Sequence, residues 1–408
     1  MMQVTKAATS LLCLVLFGTA YAADAPKGPQ ISRSIAKEVI AAQKALQANQ
    51  FAEGIKNLTA AEAISPLTPY DHKTIDELKA FAYVKTNDYK SAQHAYEDAL
   101  ATGVANAEET NRYTRAVFSI AISTQQYPKA IDFGKKLVDS GTAGADIYMA
   151  VTQSYYLQKD CKDAIVWADK SIAFARASHE APKENLYLFK LQCAFDNNDN
   201  PGTIAALEDL IRLTGKTDYW NKLLRLERQD EREDKNLLMV YRIMYTTGSM
   251  NAASDYMEMA QLLGDASLPG EAQSVVQKLL DSTLVTPDQK DRTNRLLNSV
   301  KTRADTDRKS LPQIDAEAKK SAAGELDVKL GEVYYGFGDY PNTVASITRG
   351  LQKGQIKHME EAYVYLGLAQ VNLKNNAEAK KAFGQLKSVA GISPRVLKLW
   401  TLYSERLG

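Results

Sequence analysis

The side chains able to do chemistry are few and far apart. The four histidines, His72, His94, His179 and His358, are the groups whose charge could change near neutral pH, and imidazole is also a common metal ligand. No two of them fall within one turn of a helix. Carboxylates do occur as neighbours, in Glu108-Glu109 and Glu360-Glu361. Acid–base catalysis needs two carboxyls with unequal pKa values in a shared pocket. Adjacent acids on an amphipathic helix instead form a solvated face or complement the positive end of the helix dipole. Gly336-Phe337-Gly338 is glycine-rich, but a phosphate cradle would need a strand before it and a Gly-Lys-Ser/Thr ending. GxSxG, HExxH and CxxC do not occur. The expectation is a non-enzyme with no catalytic residue, no cofactor and no metal.

The elements that would position any functional side chain begin after a leader. Met1 to Lys6 carries one positive charge, and Ala7 to Phe17 is an apolar run. Gly18-Thr19 breaks the run, and Ala20-Tyr21-Ala22 has the small-x-small form of a signal-peptidase site. A run of about eleven residues is too short to span a bilayer, which needs about 20. Residues 1–22 therefore read as a cleavable signal peptide, followed by a flexible tail over 23–31. Cys13 sits in mid-run, whereas a lipidated cysteine follows the apolar stretch, so lipidation is not expected. A bacterial periplasm is the expected compartment. No later stretch is apolar over 18 residues, so no membrane span is expected. Once Lys6 is removed, 49 basic residues balance 49 acidic ones, which argues against a nucleic-acid or anionic-membrane surface.

One kind of segment recurs along the rest of the chain. Asn87-Asp88-Tyr89-Lys90-Ser91-Ala92, Gln126-Tyr127-Pro128-Lys129-Ala130, Asp160-Cys161-Lys162-Asp163-Ala164, Gly338-Asp339-Tyr340-Pro341-Asn342-Thr343 and Asn375-Asn376-Ala377-Glu378-Ala379 share a polar turn and a small residue. Ala92, Ala130 and Ala164 are 38 and 34 residues apart, and Thr343 and Ala379 are 36 apart. The turn ends one helix, and the small residue lets the next approach it closely. Apolar residues at further steps of three and four bury one face. Upstream lie Tyr148, Val151 and Tyr155 before Ala164, and Tyr363, Leu366 and Gly367 before Ala379.

These half-motifs and their period resemble the tetratricopeptide repeat. The resemblance covers most of residues 32 to 391, with degenerate units near Gly54, Thr203 and Asn236. It implies an all-α, tetratricopeptide-like α-solenoid of antiparallel helix pairs in a right-handed superhelix. Residues 32–285 read as an N-terminal block of repeats and 324–391 as the C-terminal repeats. Between them, Thr286 to Ala323 has thinly spread apolar residues and reads as an atypical helical pair joining the blocks. Glu227 to Lys235, with eight charges in nine residues, reads as a solvated helix end and turn. Residues 392–408 should supply a terminal helix with a wet outer face, because an uncapped array exposes apolar surface.

In this family the concave face is lined by the first helix of each repeat and takes up peptides or extended segments of other proteins. Carried over by position, that lining would be Asp146, Met149, Gln153, Tyr156 and Leu157. In the C-terminal units it would include Glu332, Tyr335, Val364, Leu368 and Asn372. Each of these could instead be packed between repeats. The expected function is a periplasmic interaction scaffold of the cell envelope. Tyr241 to Met250, running into Tyr256-Met257-Glu258-Met259-Ala260, is similar to periplasmic repeat proteins associated with TonB-type energy transduction for outer-membrane uptake. The alternative is an assembly or ligand-binding factor for exported polysaccharide, outer-membrane lipoproteins or secretion machinery.

Stacked pairs also bear on Cys161 and Cys193, the two cysteines left after the leader. Cys161 opens a second helix and Cys193 falls late in the next first helix, so both lie at the edge where within-repeat turns cluster. Helix axes about 8–10 Å apart allow the Cα spacing a disulfide requires. The bridge and a pair of buried free thiols are both compatible with this placement.

Overall fold

The computed structural model describes residues 30–408. The leader and nearly all of the tail lie outside the described residues. Within them are twenty α-helices, one short 3-10 turn and no strand. The chain divides into two compact units after Asn198, inside the expected N-terminal block rather than at residue 286.

In the first unit, α1 (Ala36–Gln47) pairs with α2 (Phe51–Glu62) and α3 (Pro69–Lys85) with α4 (Tyr89–Ala101). Next, α5 (Ala107–Ser123) pairs with α6 (Tyr127–Asp139), α7 (Ala145–Leu157) with α8 (Cys161–Ala177), and α9 (Glu184–Asp196) packs on α7 and α8. The second unit holds α10 (Asn200–Thr214), α11 (Thr217–Asp230), α12 (Asp234–Thr246), α13 (Ala253–Asp265), α14 (Pro269–Leu280) and α15 (Pro287–Lys320). It continues with α16 (Glu325–Gly336), α17 (Tyr340–Lys353), α18 (Met359–Asn372), α19 (Asn376–Gly384) and α20 (Pro394–Glu405). Here α13 pairs with α14, α16 with α17 and α18 with α19.

One local conformation builds these hairpins. Asn49, Asn87, Gln125, Lys159, Ser267, Gly338 and Lys374 each have φ between 58° and 74°, which turns the chain out of the first helix. Five residues on stands the small residue: Gly54, Ala92, Ala130, Ala164, Ala272, Thr343 or Ala379, each buried. Where the next residue is aspartate, its carboxylate caps the second helix. Asp88 accepts from Ser91 N at 3.1 Å, Asp160 from Asp163 N at 3.2 Å and Asp339 from Asn342 N at 3.2 Å. Asn198 repeats the conformation, with Asp199 accepting from Gly202 N at 3.0 Å and Thr203 buried in the small position. The degenerate units near Gly54 and Thr203 thus keep the turn. The stretch around Asn236 does not, and α11 runs to α12 through an extended link without a left-handed residue.

Two expectations are corrected in the second unit. The stretch 286–323 is not a helical pair: α15 is one helix of 34 residues with Pro312 inside it. No glycine interrupts it, and Thr293, Val300, Ala304 and Ala318 form one narrow buried stripe against α14 and α16. Glu227 to Lys235 is not simply solvated. Glu227 is 5 % exposed and meets Arg395 at 3.2 Å, and Arg228 Nη1 donates to Asp255 at 2.7 Å and to the Tyr241 hydroxyl at 2.8 Å. The last helix, α20, has the expected wet face, with Lys398, Glu405 and Arg406 exposed, but its other face is deeply packed. Trp400 is fully buried, 5.0 Å from the Phe383 ring, while Lys398 reaches Glu208 at 2.6 Å and Glu405 reaches Arg212 at 2.9 Å. With Val396, Leu399, Leu402 and Tyr403 also buried, α20 has apolar side chains enough to pack on α10, α12 and α19 together.

Candidate functional site

The first unit keeps the expected face open at α7. Ile147, Val151 and Tyr155 turn inward with Trp167 and Ala164 in one core cluster. A helix buried on that stripe must present the opposite one. Asp146 and Gln153 are accordingly exposed, Met149 and Tyr156 half-buried, and Leu157 is 45 % exposed. The register extends to the flanking first helices. Gln153 stands eleven residues before Ala164, as Phe81 does before Ala92, and Tyr156 stands eight before it, as Phe195 does before Thr203. Phe81 on α3 is 36 % exposed and Phe195 on α9 is 68 % exposed. Large apolar side chains left in water in the second half of α3, α7 and α9 (Phe81, Leu157 and Phe195) make a surface suited to contact another protein. Ser119 and Ile122 on α5, eleven and eight residues before Ala130, lie at the corresponding positions, the serine exposed and the isoleucine half-buried. Tyr156 also packs on Phe189, ring centroids 4.8 Å apart.

Cys161 and Cys193 form a disulfide with their Cα atoms 5.2 Å apart. It ties the first residue of α8 to the last turn of α9, so the helix carrying Phe189 and Phe195 is held against the α7–α8 pair.

The second unit does not offer the same face. Val364 and Leu368 are fully buried, and Glu332 is 2 % exposed. Tyr335 sits 5.1 Å from the Tyr365 ring and 5.6 Å from Tyr340. Only Asn372 is exposed, with its amide donating to Leu368 O at 2.9 Å. These positions do turn to the inner side of α16 and α18, but the chain itself fills that side. Arg242 on α12 donates from Nε and Nη2 to the Glu271 carboxylate at 3.1 and 3.0 Å, and contacts the Tyr365 hydroxyl. That hydroxyl in turn donates to Glu271 at 2.8 Å. Eight residues of α12 are buried, Asn236 and Leu238 to Met244 among them. Val364 and Leu368 are therefore corrected from groove lining to core, and Glu332 to a buried carboxyl. Arg242, Glu271 and Tyr365 escaped the sequence reading. The available signal was an arginine set within the apolar run Leu237 to Met244.

The segment Tyr241 to Met250, which carries the resemblance to TonB-associated proteins, contributes Tyr241, Arg242, Ile243, Met244, Ser249 and Met250 to the buried interior. It acts as packing within this unit.

The candidate chemical groups are not brought together. His72 and His179 are exposed, His94 lies 3.4 Å from Asp98, and His358 lies 3.3 Å from Glu360 and 3.1 Å from Lys235. Glu109 caps α5 from the Asn106 N–H and pairs with Lys73 at 2.7 Å. Gly336 is where the end of α16 meets the backbone of Gly270 and Glu271. Among the described residues no three His, Cys, Asp or Glu side chains are grouped to hold a metal ion, and no helix is long and apolar enough to cross a membrane.

No family model and no curated protein matches the chain. Among solved structures it is similar to a tetratricopeptide repeat protein from Parabacteroides merdae, 10 % identical, over 91 % of this chain and 99 % of that one, with a TM-score of 0.29. It is also similar to the C-terminal part of a repeat-containing protein from Cytophaga hutchinsonii, 14 % identical, over 88 % and 97 %, with a TM-score of 0.28. A third is the TPR2AB domain of yeast Sti1 in complex with pHSP90, 14 % identical, over 91 % and 98 %, with a TM-score of 0.27. Likenesses at this level carry no argument by themselves. The assignment rests on the molecule: repeated antiparallel helix pairs, each turned by one left-handed residue and closed over one buried small residue, make this an all-α chain of tetratricopeptide-like construction.

Proposed function

We propose that this chain is a non-catalytic, periplasmic protein-interaction scaffold of the cell envelope that supports TonB-type outer-membrane transport. The observation that carries the scaffold reading is the open face of the first unit. There Met149, Gln153, Tyr156 and Leu157 on α7 line up with Phe81 on α3 and Phe195 on α9, all on first helices. Tyrosine supplies area with a polar tip and methionine adapts its shape, both of which suit contact with an extended segment of another protein. The leader pattern supports export, and the Cys161–Cys193 bridge fits an oxidising compartment. The similarity over Tyr241 to Ala260 supports the TonB association.

The test is photo-crosslinking in the native cell, with a photoreactive residue at Gln153 or Leu157 and a control at Val166, an exposed position on the second helix α8. Adducts to an envelope protein at 153 and 157 but not at 166 are expected, in material released by osmotic shock. Equal labelling at 166, or none at the first-helix positions, overturns the groove. Adducts only to secretion or polysaccharide machinery would replace the TonB assignment.

A further inference from the structure

The second unit buries more carboxylates at its centre than it has cations to match. Between α12, α14, α16 and α18 lie four acids: Glu271 at 6 % exposure, Glu332 and Glu360 at 2 % each, and the half-buried Glu361. Three permanent cations face them. Arg242 is committed to Glu271 in a two-pronged pair. Lys235 pairs with Glu360. Lys329 is left to serve two acids, meeting Glu332 at 3.0 Å and Glu361 at 3.1 Å. Its side chain is 45 % exposed, so water screens its charge. Glu332 is thus a deeply buried carboxyl without a cation of its own.

Other elements packed on α16 do not supply one. From α17, Arg349 and Lys353 are both held by Asp327, at 2.6 and 2.7 Å. From α15, Arg308 lies over the Phe337 ring at 4.5 Å, and Asp315 is paired with Arg349 at 3.1 Å and Lys319 at 2.6 Å. From α18, Tyr365 donates to Glu271. Beside the cluster stands His358, 3.3 Å from Glu360.

We propose that Glu332 is a proton-operated latch on the second unit, neutral when α16 is held firmly against α18, and loosening that contact when it ionises. The charge count requires this direction, since removing one negative charge brings the cluster to balance. Burial, partly offset by Lys329, pushes the Glu332 carboxyl up to about 7. A group raised in the folded state holds its proton more tightly there than in the opened one. The contact is therefore strongest below the ordinary glutamate range and weakens as pH rises towards 7 and above.

Hydrogen exchange of the full chain at pH 5.5 and pH 8, corrected for the intrinsic pH dependence of amide exchange, tests the latch. In the natural chain, peptides covering α16 and α18 are expected to lose protection by about tenfold or more at the higher pH, the factor of one pKa unit. In Glu332→Gln, which cannot ionise, that pH dependence should vanish, with protection at pH 8 at least equal to the natural chain. Glu361→Gln, which frees Lys329 for Glu332, should shrink the dependence without abolishing it. Asp76→Asn, a neutralised buried acid in the first unit, should leave it unchanged. The latch is overturned if α16 and α18 show the same pH dependence in the natural chain and in either glutamate variant.

Discussion

Arg242 and Glu271 face each other as a fork on a fork, at 3.1 and 3.0 Å, with the arginine 3 % and the glutamate 6 % exposed. The guanidinium also lies over the Tyr365 ring, 4.4 Å from its centroid. The pair joins α12 to α14 and, through Tyr365, to α18. It occupies the inner side of the repeats, where the sequence led us to expect bound peptide. Arg242→Ala would strand a buried carboxylate, and removing one partner of such a pair typically costs about 3–5 kcal/mol. The double change Arg242→Met with Glu271→Met should cost clearly less than Arg242→Ala. Urea unfolding of the three proteins checks this, and equal losses for single and double variants would contradict it.

The small residue of each hairpin is the tightest point of the repeat. Ala164 is fully buried in the cluster that holds Val151, Tyr155, Trp167 and Cys193, and Ala92 is fully buried between α3 and α4. Ala92→Leu or Ala164→Leu should destabilise by overpacking, on the order of 1–3 kcal/mol. The readout is the urea midpoint, and unchanged midpoints would mean that the second helix has room to spare.

The Cys161–Cys193 bridge closes a loop of 32 residues within the first unit. Replacing both cysteines with alanine should cost roughly 2–4 kcal/mol. It should also raise proteolysis around α9, because the bridge holds that helix to α8. Alkylation of unreduced protein followed by mass measurement should find neither thiol labelled. Two labels would rule the bridge out in the purified protein.

Asp76 on α3 is 9 % exposed, and burial, reinforced by Asp98 and Glu62 and opposed by Lys79, pushes its carboxyl up to about 6. Its folded-state value lies above its ordinary value of 3.8, so the native chain binds the proton more tightly than the unfolded one. Stability from this group is greatest below pH 4 and falls as pH rises through 6. Asp76→Asn should therefore gain stability over the natural chain at pH 7.5, by roughly 2 kcal/mol, and lose that advantage at pH 4. Thermal unfolding at the two pH values decides it, and an equal difference at both would contradict the assignment.

Much of the local architecture was written along the chain. The small residue at Ala92, Ala130, Ala164, Thr343 and Ala379, with apolar steps upstream, marked helix pairs, because close approach of two helices depends on residue size at one point. The left-handed turn five residues earlier was not legible. Gln125, Lys159, Ser267 and Lys374 adopt positive φ there although nothing in their side chains favours it. The packed pair imposes it. The outward stripe of α7 followed from helical period alone, so Gln153 and Leu157 stand in water as the pattern required. The same pattern at Val364 and Leu368 ended in core, because helical period says which side of a helix faces inward on the repeat and not what lies against that side. Only the tertiary structure decided that. It brought α12 onto α18, and α20 onto α10 and α12, across long stretches of chain, and so closed the second unit's inner face while leaving the first unit's open.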